Sequence, residues 1–85
     1  MRLDKYLKVS RIIKRRTVAK EAGEGGRVTI NGKVAKPSSE VKDGDVLEIR
    51  FGDKLARYKV VSIAETVRKN EASLMYEMLD GEILE

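Results

Sequence analysis

Eighty-five residues with 41% apolar content provide for one small domain, and a chain of this size buries only about 60% of its unfolded surface. Neither Cys nor His is present, which excludes disulfides, thiolate and imidazole metal sites, cysteine nucleophiles and histidine general bases. No run approaches the ~20 apolar residues of a membrane span, and the net charge of +4 is segregated, with residues 1–42 at +8 and residues 43–85 at −4.

In chain order, Leu3, Tyr6 and Leu7 fall on one side of a predicted helix and Arg2, Lys5 and Lys8 on the other, at ~100° per residue. Asp4 stands four residues before Lys8, the spacing of a helical ion pair worth a few tenths of a kcal/mol. Ser10 to Arg16 continues or turns the chain. Thr17 is placed to cap a second short helix through Val18, Ala19 and Ala22, which Gly23, Gly25 and Gly26 end. With Thr17 as the cap, Arg15 and Arg16 sit just ahead of a helix N-terminus, where free N–H groups also favour an anion.

From Arg27 the period changes to two. Val28, Ile30 and Val34 alternate with polar residues around Asn31-Gly32, the dipeptide whose members both tolerate positive φ, so a tight hairpin is predicted. Residues 35–39 connect. Asp43-Gly44-Asp45 turns the chain into a strand, Val46 to Phe51, and after Gly52-Asp53-Lys54 a further strand runs from Ala56 to Ile63, with Tyr58 and Val60 on one face. Asn70 is placed to cap a C-terminal helix in which Ala72, Met75, Tyr76 and Leu79 follow i, i+3, i+4, i+7 spacing, ending at Asp80-Gly81. The class is α+β, two N-terminal helices on a small antiparallel sheet with a short C-terminal helix. Residues 1–64 form the main unit, and 65–85 form an acidic helix and tail packed on it.

Eight bases, Arg2, Lys5, Lys8, Arg11, Lys14, Arg15, Arg16 and Lys20, share the first twenty residues with one acid, Asp4. Such a pole is read first as a polyanion footprint, because Lys and Arg bind phosphates by displacing condensed counterions. A membrane surface would need a larger apolar face opposite the bases; a merely solvated helical face is the plain alternative. Five phosphate contacts correspond to a log–log salt slope of about −4. Four aromatics in the whole chain do not make a stacking platform, and Tyr6, spaced with Leu3 and Leu7, reads as core. The Asn31-Gly32 hairpin, flanked by Arg27, Lys33 and Lys36, is either a further polyanion contact or a plain turn. The glycine between Asp43 and Asp45 reads as a turn, not as acid–base chemistry.

The order of these elements, with Arg2-Leu3-Asp4-Lys5-Tyr6-Leu7, Ser10-Arg11, Arg15-Arg16-Thr17, Gly26 to Lys33 and Pro37 to Asp45, resembles the S4 RNA-binding domain, also called the alpha-L motif, over residues 1 to about 51. More narrowly, the stretches 2–11, 13–17, Phe51-Gly52 and Met75-Tyr76 look like the free-standing RqcP group of Gram-positive bacteria. A more distant similarity is to the heat shock protein 15 group. The RqcP resemblance implies a non-enzymatic factor of ribosome-associated quality control. Its members bind large ribosomal subunits obstructed by peptidyl-tRNA, contact rRNA and tRNA through the basic helical face, and with RqcH support C-terminal alanine tailing of the stalled chain. Arg2 and Arg16 match the arginines that carry those contacts. Lys5, Arg11, Lys14, Arg15 and Lys20 are assigned from charge and expected face. No cofactor or metal is expected, the location implied is cytoplasmic, and a monomer is the default. An enzyme fragment, a ribosome-assembly protein, a recycling factor like heat shock protein 15 and a DNA-binding module are the other readings.

Overall fold

The computed structural model describes residues 1–63 and 69–81. Helix α1 (Leu3–Val9) buries Leu3, Tyr6 and Leu7 completely, as its apolar spacing requires. Its first free N–H groups are taken by the 37–39 connector: Leu3 N–H donates to the Ser39 carbonyl at 2.8 Å and Asp4 N–H to that of Pro37 at 3.1 Å. After Ser10, Arg11 adopts a left-handed φ of 63° and reverses the chain, while the buried Ile12 and Ile13 pin the loop to the core.

Helix α2 (Arg16–Glu24) starts two residues earlier than the Thr17 cap implies, with Arg15 as its cap. Arg15 is extended in the capping position and Thr17 lies exposed in the first turn, with no side-chain cap. The pinned loop, not a local hydroxyl, sets this start. Gly23 does not end the helix either. It sits buried inside α2 because a Cβ there would lie 2.9 Å from Pro37 Cγ and 3.0 Å from Pro37 N. Helix and connector therefore touch backbone to ring. The helix ends at Gly25.

Among the described residues five strands make one antiparallel sheet: β1 (Val28–Ile30), β2 (Lys33–Val34), β3 (Val46–Phe51), β4 (Lys54–Val60) and β5 (Tyr76–Gly81), in the order β2-β1-β3-β4-β5. Asn31 and Gly32 both take positive φ, 52° and 86°, as the two-residue hairpin turn demands. Val28 is buried there, but Val34 is 70% exposed on the two-residue edge strand. Asp45 is consumed by the turn it belongs to. Its carboxylate accepts from Asn31 Nδ2 at 3.0 Å and from Lys42 N–H at 2.9 Å, and the Asn31 side-chain oxygen accepts from Val46 N–H at 2.9 Å. Strand β4 begins at Lys54, paired with Phe51, and ends at Val60, so it is displaced towards the turn relative to Ala56–Ile63.

The C-terminal helix expected from residue 70 is not formed. A 3-10 helix runs over Lys69–Met75, and the chain then becomes β5, with Tyr76 opposite Val60 and Met78 opposite Tyr58. Ala72 and Met75 are buried, and the Met75 carbonyl accepts from Tyr6 Oη at 2.8 Å, Val61 N–H at 2.8 Å and Ser62 N–H at 3.2 Å. Three bonds to one carbonyl fix the point where helix gives way to strand. The Tyr58 and Tyr76 rings then meet edge to face, 5.3 Å apart at 83°, a geometry worth ~0.5–1.5 kcal/mol beyond burial. Leu47, Ile49, Ala56, Tyr58 and Val60 on the inner sheet face and the apolar faces of α1 and α2 form one core.

Candidate nucleic-acid interface

The connector's two carbonyls hold the start of α1 against the 37–39 segment, and Gly23 lets α2 close on Pro37. Three sequence-distant positions, Arg2, Arg16 and Lys36, are thereby brought to one side of the molecule. Asp4 organises two of them. Its carboxylate is only 3% exposed, yet it accepts from Arg2 Nε at 3.1 Å and Arg2 Nη2 at 3.2 Å, and Arg16 Nη2 lies 3.6 Å away. Lys5 N–H completes its shell at 2.8 Å. The expected pairing of Asp4 with Lys8 is replaced by this arrangement: Asp4 faces the α1–α2 junction, where two guanidiniums compete with one ammonium and a fork–carboxylate bond is the stronger contact. Burial alone would raise the Asp4 pKa, but the Arg2 fork, the Lys5 N–H and the charge of Arg16 outweigh it, so the carboxyl sits below its ordinary 3.8.

The arginines are not buried with it. Their side chains remain 52% and 50% exposed, so each presents donors to solvent while anchored from beneath. Arg2, Asp4, Arg16, Thr17 and Lys20 line a concavity of about 310 Å³, and Arg2, Lys20 and Lys36 with Gly23, Glu24, Pro37 and Ser38 line a second of about 510 Å³. Arg2 and Lys20 belong to both, so the two hollows form one basic trough. The first turn of α2 carries no acid, although acids are favoured there.

The other predicted positions, Lys5, Arg11, Lys14 and Arg15, line neither hollow. Arg15 precedes Arg16 in the extended capping position, Arg11 and Lys14 lie exposed on the loop between the helices, and Lys5 is half-buried on α1. In the sequence Lys36 is a flank of the hairpin; its contribution to the trough follows from the connector's bonds to α1, which no local pattern announces. Tyr6 is fully buried with its hydroxyl held by Met75, and burial pushes its pKa well above the usual tyrosine range. It is a core residue, and no base can stack on it. Among the described residues no group of three or more His, Cys, Asp or Glu is placed to hold a metal ion, and no helix is long and apolar enough to cross a membrane.

Residues 1–47 match the S4 domain model. The chain belongs to the S4 domain family. Among relatives of this S4 protein, an "RQC P-site tRNA stabilizing factor" of Halalkalibacterium halodurans is 62% identical over 92% of the chain and 89% of the relative, and one of Bacillus subtilis is 56% identical over 99% and 98%. Heat shock protein 15 of Escherichia coli is 41% identical over 91% of the chain, which spans 59% of that protein. The fold is also that of the trimeric heat shock protein 15 of Vibrio cholerae, with a TM-score of 0.83 and 35% identity over 92% of this chain and 80% of that one. This S4 chain is thus similar both to proteins named RQC P-site tRNA stabilizing factor and to heat shock protein 15.

Proposed function

We propose that the protein is a non-enzymatic, cytoplasmic factor of ribosome-associated quality control that binds large ribosomal subunits obstructed by peptidyl-tRNA and stabilises the tRNA there. In this reading the trough carrying Arg2, Arg16 and Lys20 holds RNA phosphates, with Lys5, Arg11, Lys14 and Arg15 adding attraction around it. The observation that carries it is the pair of half-exposed arginines fixed by the buried Asp4, in a chain 62% identical to a protein named for stabilising P-site tRNA.

The chemistry is binding, not bond-making. Structured RNA is read through phosphates, 2′-hydroxyls and shape, and an arginine offers a planar fork to a phosphate where a lysine offers a point charge. A fork held in place before contact loses less side-chain entropy on binding. Stabilisation follows from preference: the factor shifts the tRNA towards whichever placement on the subunit it binds best. Supporting RqcH-dependent alanine tailing, with rRNA and tRNA both contacted, is the consequence proposed for the stalled chain. Residues 1–64 would carry the RNA-binding unit, and the acidic 65–85 segment would face away from RNA.

The test is an affinity pull-down of tagged protein from growing cells, repeated with Arg16→Ala. Large subunits rich in peptidyl-tRNA, lost in the variant, support the proposal. Recovery of immature subunits without tRNA moves the protein to ribosome assembly, and recovery of no ribosomal RNA refutes both readings.

A further inference from the structure

The solvent face of the sheet carries cations of its own, arranged in cross-strand rows. In one row Thr29 lies opposite Glu48, Glu48 opposite Arg57 and Arg57 opposite Asp80. Arg57 and Asp80 form a two-bond pair, with Nε to Oδ1 at 3.0 Å. In the next row Lys59 lies between Val46 and Glu77. Both cations therefore have a carboxylate across the strand, which is the stabilising arrangement.

The third row breaks this rule. Arg50 lies opposite Leu55 on one side, and on the other its N–H donates to the Arg27 carbonyl at 2.9 Å, continuing the β1–β3 ladder so that Arg27 and Arg50 are neighbours. Like charges directly opposite are unfavourable, and among the described residues neither side chain has an ion pair. Arg27 also serves the end of α2: a Cβ at Gly25 would lie 3.5 Å from its Cζ, beside carbonyls that favour a cation. That accounts for Arg27 and leaves Arg50 unexplained. Arg50 and Lys54, with Gly52, Asp53 and Leu55, line a hollow of about 290 Å³ in which Asp53 is the one acid.

We propose that Arg27, Arg50 and Lys54 form a second phosphate site, which takes the backbone of an RNA segment different from the one in the helical trough. The inference rests on the RNA-binding reading above and adds a second contact surface to it. None of the three residues lines either trough hollow, and Arg27 follows the far end of the nine-residue α2 whose first residue is Arg16. At ~1.5 Å per residue Arg16 and Arg27, at opposite ends of that helix, are about 13 Å apart along it, too far for these two arginines to share a phosphate. Two planar forks side by side suit phosphate oxygens. An acidic protein segment would require an apolar centre to its interface, and Leu55, 39% exposed, is the one large apolar side chain in the hollow.

The natural sequence has no cysteine, so a single introduced one is a unique attachment point. Asp53→Cys and, beside Arg16, Thr17→Cys are labelled with a photo-crosslinker in the full chain. Each is then bound to purified large subunits carrying peptidyl-tRNA. Both positions are expected to crosslink RNA, at different segments. RNA adducts from position 17 with none from position 53 overturn the second site alone, whereas no RNA from either overturns the RNA-binding reading itself.

A second measurement compares Arg50→Gln with Lys54→Gln against Arg57→Gln with Lys59→Gln, which remove the same charge from the same hairpin. The first pair is expected to lose about tenfold in affinity and about 2 from the salt slope, the second less than about twofold. Equal losses mean general attraction only and overturn the site.

Discussion

Replacing Asp4 with Asn keeps the size of the side chain and an oxygen for Lys5 N–H, but removes the charge beneath Arg2 and Arg16. The carboxylate is buried, so its charge-assisted bonds fall in the ~1.5–3 kcal/mol class. Both guanidiniums are about half exposed and lose little by returning to water, so the pairs themselves are discounted to ~0.2–1 kcal/mol each. Together these give about 2 kcal/mol of stability at pH 7, or roughly 8–16 °C in Tm for a domain of this size. The folded pKa of Asp4 is lowered from 3.8. Its contribution is therefore complete above that value and is lost as pH falls through the lower folded value. Urea unfolding at pH 7 and near pH 2 should show the difference between variant and natural protein shrinking in acid. RNA affinity separates positioning from bulk charge. The variant gains one positive charge and would bind more tightly if net charge ruled, whereas loss of anchoring predicts weaker binding. An unchanged stability at pH 7, or tighter RNA binding, would refute the reasoning.

Gly23→Ala gains at most ~1 kcal/mol of helix propensity but drives a Cβ to 2.9 Å from Pro37 Cγ, an overpacking cost of ~1–3 kcal/mol; thermal unfolding should show net destabilisation, and RNA affinity should fall as the trough opens. Tyr6→Phe should cost only ~0.5–1.5 kcal/mol, because the Met75 carbonyl keeps its bonds from Val61 and Ser62, and denaturant midpoints check this. Arg16→Ala should weaken large-subunit binding by ~1–3 kcal/mol while Glu77→Ala, on the solvent side of β5, leaves it within about twofold in the same titration.

Much of the fold was legible because its signals are local. The helix spacing of Leu3, Tyr6 and Leu7, the Asn31-Gly32 turn and the Asp43-Gly44-Asp45 turn each need only neighbouring residues, and each appears where expected. The strand at the C-terminal end was not legible. Ala72, Met75, Tyr76 and Leu79 satisfy a helical period, yet Tyr76 and Met78 equally satisfy a period of two, and pairing with β4 decides between them. The same holds for the candidate site. Charge counting finds Arg2, Arg16 and Lys20, but the setting of Asp4, the close approach at Gly23 and the place of Lys36 depend on the 37–39 connector folding back onto the start of α1, more than thirty residues before it in the chain, and onto Gly23, fourteen before it. Expectations for residues 64–68 and 82–85 lie outside the described residues.

The central claim is that the Asp4-anchored arginines bind RNA phosphates on tRNA-bearing large subunits. Its most direct test is a titration of the labelled protein onto purified large subunits with and without peptidyl-tRNA across a salt series, for the natural chain and for Arg2→Ala combined with Arg16→Ala. Binding should be tighter to subunits that carry tRNA, with a log–log slope of about −4 for five phosphates that falls to about −2 in the double variant while its circular dichroism is unchanged. Equal affinity for empty subunits, or a slope that the double variant does not alter, would contradict the claim.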